Sequence, residues 1–418
     1  MRRGFLAFMV AALTACGQPL TAGLSGQTAG KAAIRAQELE RAAQIDRAIE
    51  PHVARKTTRD NDARLYMDGA AGFAALRELI GIARKSIWIE TFIWHNDATG
   101  IAIAQLLRKR ALEGLDVRIL VDAAGTAEKN DRDVQRILRD YQVPVRYFNP
   151  FVLKGANLHV SHRKLYLADG VRALTGGMNI GVEYEHDWHD LLVGVTGSAA
   201  RQMHAEFAQG WNDSQDGPPE ELVIPGDPAD PPGGAVAVRV AVTNLPPGKP
   251  RCEEIKNAHW AAIRAAKKRI RTFHIYLADP DYIAELRKAV ERGVKVELLI
   301  PSANDFEAFK FINRHWAGKL LDAGATIKVY ESRFSHIKYL SVDGAWVSLG
   351  SANADSRSFY ENEELNLLFS DPAFTQEADR RVFEQDWAEA RWPVYADLNV
   401  PLRWKPVTTL AELFAYYI

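Results

Sequence analysis

Ser161-His162-Arg163-Lys164-Leu165-Tyr166-Leu167-Ala168-Asp169-Gly170 and Ser335-His336-Ile337-Lys338-Tyr339-Leu340-Ser341-Val342-Asp343-Gly344 are two versions of one pattern. The first continues to Gly176, Asn179 and Asp190, the second to Gly350, Asn353 and Glu364. The intervals from the histidine to the lysine, aspartate, glycine, asparagine and final carboxylate are the same in both copies. A duplicated fold needs only its hydrophobic positions repeated. Here the repeated positions include a histidine, a lysine, an asparagine and a carboxylate, which are costly to bury without partners. Two such sets point to two half-sites that meet in one reaction centre.

Each His-x-Lys lies in a run of strand character, so histidine and lysine share one side of the strand. Asp169-Gly170 and Asp343-Gly344 then read as hairpin turns. The returning strands deliver Gly176-Gly177-Met178-Asn179 and Gly350-Ser351-Ala352-Asn353. The asparagine thereby comes back near the lysine, and the small residues let the backbone approach a ligand.

Outward from the motifs, the two halves match element by element. Strands are expected at 86–94, 117–121 and 143–148, with helices at 100–112 and 132–141. In the second half the strands fall at 270–277, 294–300 and 326–330, and the helices at 282–292 and 307–321. Glu113-Gly114 and Arg292-Gly293 end corresponding helices, with glycine as the C-cap. Alternating strands and helices predict two pseudo-twofold-related α/β/α domains with mostly parallel central sheets and the active site at their junction. The first domain spans 61–212 and the second 239–395. Residues 213–238, rich in Pro, Gly and acids, read as a linker, and 396–418 as a C-terminal tail. That tail has helical spacing at Leu410, Leu413, Phe414, Tyr417 and Ile418, suited to packing on the body or to a membrane interface.

The paired motif suggests phosphoryl chemistry. Lys164, Lys338, Asn179 and Asn353 form a donor-rich, electropositive cup. One histidine can attack phosphorus, while the other protonates the leaving oxygen and later deprotonates the acceptor. Asp190 and Glu364 are placed to hold the histidines' second nitrogens. Neither a metal nor another cofactor is required, because the lysines neutralise the developing charge. His159, His162, His186 and His189 lack the thiolates and the shared strand face of a zinc site. His186 and His189 read as polar loop residues near the mouth. Trp88, Phe92 and Trp94 read as core, with a lipid-facing role open for Trp94.

The first residues bear on location. Met1-Arg2-Arg3, an apolar run from Phe5 to Leu13, and Leu13-Thr14-Ala15-Cys16 read as a signal peptide over 1–15. Leu-Thr-Ala-Cys resembles the lipobox of bacterial lipoproteins, which implies acylation of Cys16. Residues 16–60 then form a lipidated spacer, with helical spacing over 32–49. The expected place is the cell envelope: a lipid-anchored body facing the periplasm, on the outer or inner membrane. Gly17 after the cysteine resembles an outer-membrane sorting signal. No later segment has the apolar length of a transmembrane helix. Cys252 is the only other cysteine, so no structural disulfide is expected. The formal net charge of −1 gives no basic excess for nucleic acid, which is not expected as a partner. A monomer is expected.

These residues resemble the paired HKD motifs of the phospholipase D superfamily, over roughly residues 65–395. The resemblance implies a phosphohistidine on His162, with His336 as acid and base. It also implies phosphate held by Lys164, Lys338, Asn179 and Asn353. Asp169 and Asp343 belong to the motif, in a role more structural than chemical. Ser351 keeps the superfamily's Gly-Ser and is a candidate substrate contact, whereas Gly177 departs from it. Ser161–Lys164, Gly176–Gly181 and Tyr184 look like the first motif region of bacterial cardiolipin synthases, and Ser351–Phe359 with Asn362, Glu364 and Asn366 like the second. Glu90–Ile93 and Asp97-x-Thr99-Gly100 add to the likeness. The familiar members carry N-terminal membrane spans, and none is expected in this sequence. The resemblance implies phosphatidyl transfer between phospholipids. Hydrolysis to phosphatidate is the same mechanism with water as acceptor; a nuclease or a non-catalytic envelope scaffold is less favoured.

Overall fold

The computed structural model describes residues 20–127, 132–140, 143–149, 159–214, 216–226, 234–245 and 250–413. The signal peptide, Cys16, and residues 414–418 lie outside them.

In chain order the strands are β1 (Thr58–Asn61), β2 (Ala63–Met67), β3 (Ser86–Thr91), β4 (Asp116–Asp122), β5 (Val145–Phe148), β6 (Leu165–Ala168), β7 (Arg172–Gly176) and β8 (Leu191–Thr196). They continue with β9 (Val236–Asn244), β10 (Cys252–Glu253), β11 (Arg269–His274), β12 (Lys295–Pro301), β13 (Thr326–Tyr330), β14 (Lys338–Val342), β15 (Trp346–Gly350) and β16 (Glu364–Phe369). One sheet runs β2-β8-β7-β6-β3-β4-β5, and the other β1-β9-β16-β15-β14-β11-β12-β13 with β10 on β9. The two α/β halves are present as expected, but their sheets are mixed rather than mostly parallel. Among the described strands only β3-β4-β5 and β11-β12-β13 pair in parallel. In those runs a crossover helix separates each strand from the next: Ala98–Leu112 and Arg132–Arg139, then Pro280–Glu291 and Glu307–Asp322. Tight turns join β6 to β7 and β14 to β15, which permits only antiparallel pairing there, and the remaining strand pairs are antiparallel across longer connections.

The motif hairpins show how local sequence sets this. Asp169 and Gly170 have φ of 56° and 76°, and Asp343 and Gly344 of 57° and 65°. Positive φ at both central positions is what a type I′ hairpin turn requires, and Asp-Gly tolerates it best. The carboxylate of Asp169 accepts the backbone N–H groups of Arg84, Lys85 and Ser86 at 2.7–3.1 Å. Asp343 does the same for Lys267, Lys268 and Arg269 at 2.7–3.0 Å. Each aspartate thus ties its hairpin to the start of the neighbouring parallel strand, β3 or β11.

The halves share one core. Trp88, Leu120, Phe207 and Trp211 of the first pack in a single cluster with Val240, Phe273, Tyr339 and Phe383 of the second. At about 2 kcal/mol per buried large apolar side chain, this contact is too costly to open for the halves to move as independent bodies. The chain also crosses between them: β1 joins the second half's sheet through β9, which begins inside the stretch read as linker. Earlier in that stretch Arg146 donates to Pro218 O and Glu220, docking the segment on the first half. Helix Leu20–Ile49 packs Ala42, Ile45 and Ile49 into the second half's core and pairs Arg41 with Asp343. No helix among the described residues is long and apolar enough to cross a membrane.

Candidate active site

The histidines sit just before β6 and β14, and the lysines at or beside the strand starts. The two strand entries are joined across the halves. His162 N donates to Glu363 O at 2.9 Å, and Glu363 N to Val160 O at 2.9 Å. By the same pattern His336 N donates to His189 O, and His189 N to Phe334 O, both at 2.8 Å. Each histidine is therefore laced to the residue that precedes the other half's carboxylate.

The side chains follow the backbone. His162 Nδ1 bonds Glu364 at 2.9 Å, and His336 Nδ1 bonds Asp190 at 2.8 Å. Both carboxylates are fully buried. The expected histidine–carboxylate pairs exist, and each is made crosswise, one member from each half. That leaves Nε2 of both rings without a hydrogen-bond partner among the described residues. The two motifs are close enough that each lysine lowers the other motif's histidine.

The pairs differ in their surroundings. Glu364 also accepts from Ser351 Oγ, and from Ser358 Oγ at 2.8 Å. Burial pushes Glu364 up, but His162, Lys164 and Ser351 outweigh it and hold the carboxyl below its usual range. Asp190 has no such hydroxyls; beyond His336 it accepts its neighbour Leu191 N at 2.8 Å. Burial raises it to about 7, with Lys338 opposing. The reason for the bare side is Gly177, in the position of Ser351. A Cβ there would strike the Asp190 carboxylate.

Burial lowers His162 and, further, His336. It also takes Lys164 well below its ordinary value and Lys338 to about 8. Each lysine Nζ donates to its own motif's histidine carbonyl, at 2.6 Å for Lys164 and 2.7 Å for Lys338. An ammonium has three donors, so both retain N–H groups for an anion that would restore their charge.

Some expected site residues fall elsewhere. Asp169 and Asp343, motif residues grouped with the catalytic set but expected in a role more structural than chemical, sit in the hairpin turns with carboxylates occupied by backbone N–H groups, so their role is structural. Ser351, expected to touch substrate, spends its hydroxyl on Glu364 and on Leu365 N. Asn179 lies at the site, its Oδ1 accepting from Ile93 N and its Nδ2 donating to Tyr184 Oη. Asn353 is buried, with Oδ1 unpaired. His189 is no loop residue at the mouth. Its ring is buried between Asp68 at 2.6 Å and Asp386 at 2.8 Å. Burial opposes its charge, but Asp386 and Asp68 raise it to about 9. Trp94 is core, its indole donating to Gly100 O at 3.1 Å. His159 pairs with Glu363 at 3.1 Å, so the four histidines of 159–189 do not gather.

The aromatic wall was missed. Phe92 lies edge-on to His162 at 5.2 Å and under Lys164 at 5.4 Å. Tyr184 and Trp188 stand 5.8 and 5.3 Å from His336, with Phe334 against Trp188. Phe92 directly follows β3 but reads as core because the expected strand extends to 94, Tyr184 reads with the first motif region, and the signal of Trp188 and Phe334 is their closeness in sequence to Asp190 and His336.

Known proteins are similar to this chain. Residues 76–211 and 260–387 match the family described as "Cardiolipin synthase, PLD-like domain". A cardiolipin synthase of Listeria monocytogenes is 32% identical over 342 residues, 78% of this chain and 69% of that protein. Cardiolipin synthase A of Pseudomonas entomophila is 31% identical over 347 residues, 79% of this chain and 70% of that one. In fold, the chain resembles the phosphatidylserine synthase of Haemophilus influenzae Rd KW20, with a TM-score of 0.69 at 16% identity, covering 90% of this chain and 100% of that one.

Proposed function

This chain belongs to the cardiolipin synthase type of the phospholipase D-like family, and from that premise we propose that it transfers phosphatidyl groups between phospholipids through a phosphohistidine on His162. The observation that carries the division of labour is the unequal surroundings of Glu364 and Asp190. Beside an ionised Glu364, His162 keeps its proton on Nδ1 and presents the Nε2 lone pair as nucleophile. The His336–Asp190 pair takes up one further proton near neutrality, through Asp190. With that proton Nε2 of His336 carries hydrogen and is an acid; without it, it is a base.

The donor's phosphodiester sits between the two Nε2 atoms, its charge met by Lys164 and Lys338. Nε2 of His162 attacks phosphorus as the bond to the headgroup oxygen breaks. His336 gives that oxygen its proton, and the alcohol leaves. A hydroxyl of a second lipid, phosphatidylglycerol in the simplest case, then loses its proton to His336 and attacks phosphorus. The P–N bond breaks, the product phosphodiester forms, and both histidines return to their starting states. One phosphodiester replaces another, so no nucleotide is consumed.

Incubation with labelled phosphatidylglycerol tests the reading: cardiolipin and glycerol in equal amounts are expected. Phosphatidate as the sole lipid product would make the chain a hydrolase and overturn transfer. We also propose that acylated Cys16 holds the enzyme at the envelope membrane; mass spectrometry of the mature N-terminus decides that.

A further inference from the structure

Large apolar side chains are concentrated on one rim of the second half. Phe306 is 64% exposed, Trp392 63%, Tyr395 82% and Leu402 80%, and Val394 is exposed beside them. These residues are far apart in sequence but share a level in the fold. Phe306 follows the loop after β12. Trp392 follows Arg391, whose backbone pairs with Val329 near the end of β13 at 2.9 and 3.1 Å. Leu402 precedes Arg403, whose guanidinium lies 3.9 Å from Glu307, the residue after Phe306. Trp404 stacks on Phe311 at 4.9 Å, which fixes the Leu402–Trp404 turn against helix Glu307–Asp322. All of them therefore stand at the carboxyl ends of the parallel strands β12 and β13. That is the edge on which an α/β sheet carries its site, and the loop after β13 leads directly to His336.

The rim reaches the mouth of the site. Asp305, next to Phe306, accepts from Tyr276 Oη at 2.6 Å and acts electrostatically on His336 and Lys338. Tyr276 stacks on Phe309 at 4.2 Å, so aromatic surface continues inward from Phe306. Of the charges beside the patch, Arg403 and Lys405 are exposed, flank Trp404 and suit an anionic surface, while Asp305 and Glu307 are exposed beside Phe306. Exposed Trp, Tyr and Leu with adjacent Arg and Lys is the composition that seats at a bilayer interface. Scattered single apolar residues need no explanation, but a contiguous rim beside a site does.

We propose that this rim, centred on Phe306, Trp392, Tyr395 and Leu402, is the surface by which the enzyme docks on an anionic phospholipid bilayer. The proposal rests on the lipid-transfer reading for its orientation, since docking there brings the site mouth down to the headgroups. It assigns a contact distinct from any N-terminal anchor.

The test uses the full chain carrying Cys16→Ser and Cys252→Ser, with an environment-sensitive fluorophore on Leu402→Cys, on Tyr395→Cys, or on Leu112→Cys as a control remote from the rim. Vesicles of phosphatidylglycerol and phosphatidylcholine are added. Blue-shifted emission at 402 and 395, with none at 112, is expected. Unshifted emission at 402 and 395 on vesicle-bound protein would overturn the proposal. In the second arm Tyr395→Glu/Leu402→Glu, both on exposed positions, should raise KM for vesicular phosphatidylglycerol by about tenfold or more. Turnover of dissolved short-chain phosphatidylglycerol should be unchanged. Equal loss on both substrates would overturn the docking role. Inactivity of the parent chain on every lipid would sink the transfer reading, and the fluorescence arm would still decide docking.

Discussion

The two half-sites are copies in spacing and opposites in proton affinity. Glu364 is held by His162, Ser351 and Ser358, and stays ionised. Asp190 is held by His336 and one backbone N–H, and burial raises it to about 7. One position accounts for much of this: Ser351 can donate to Glu364, whereas Gly177 leaves room for Asp190 and offers nothing. On the proposed mechanism a duplicated motif thus acquires two chemical roles while its histidine, lysine and asparagine stay the same. In the proposed reaction the carboxylate that stays charged serves the nucleophilic histidine, and the one that titrates serves the proton carrier.

The comparison breaks most visibly when each charge is removed. Glu364→Gln should lower kcat by about 10³–10⁴-fold, the scale of an orienting carboxylate in a triad. Asp190→Asn should cost at least about tenfold less, because that carboxyl already spends part of its time neutral. Steady-state kinetics on phosphatidylglycerol checks both, and equal losses would erase the asymmetry.

Asp190 also leaves a mark on stability. Its folded value of about 7 lies above the unfolded one, so the native state binds the extra proton between them. Its contribution therefore falls as pH rises from about 4 to 7. Asp190→Asn should gain on the wild type by on the order of 4 kcal/mol between pH 4 and pH 8, measured by denaturant unfolding. A pH-independent difference would contradict the raised carboxyl.

His189 is shifted in the same direction, but here the fold favours the charged form. Raised to about 9 by Asp386 and Asp68 against burial, it stabilises fully below its unfolded value near 6.5. That stabilisation is lost as pH climbs through 9. His189→Gln should cost on the order of 3 kcal/mol at pH 6 and much less at pH 10. Its counterpart Glu363 pairs with Arg163 at 2.6 Å and His159 at 3.1 Å, so both half-sites are clamped just before the carboxylate.

The smallest expected effects come from exchanging the divergent position. Gly177→Ser pushes a side chain into Asp190 and should lower kcat by about 10²-fold; Ser351→Gly removes one of Glu364's bonds and should cost about tenfold. A Gly177→Ser enzyme with full activity would remove the steric basis of the asymmetry.

Much of this was legible because it is local. Asp-Gly turns, strand alternation and repeated intervals gave the hairpins, the paired motifs and the parallel runs at 86–148 and 270–330. Strand direction elsewhere was not legible, because the antiparallel pairs β2-β8, β3-β6, β11-β14 and β9-β16 join strands far apart in sequence. The crosswise pairing of His162 with Glu364 and His336 with Asp190 depends on how two sheets dock, which no local pattern carries. Ser351 read as a ligand contact for the same reason: its partner Glu364 reaches it across neighbouring strands. His189 read as a loop residue because Asp68 and Asp386 flank it only in three dimensions.

Trapping the covalent intermediate tests the central claim most directly. Enzyme quenched during turnover of phosphatidylglycerol labelled in its phosphate should carry a labelled phosphatidyl group on His162. The adduct should persist in His336→Ala and be absent from His162→Ala. A stable adduct on His336 in the His162→Ala enzyme, or none on either histidine in an active wild type, would contradict the account.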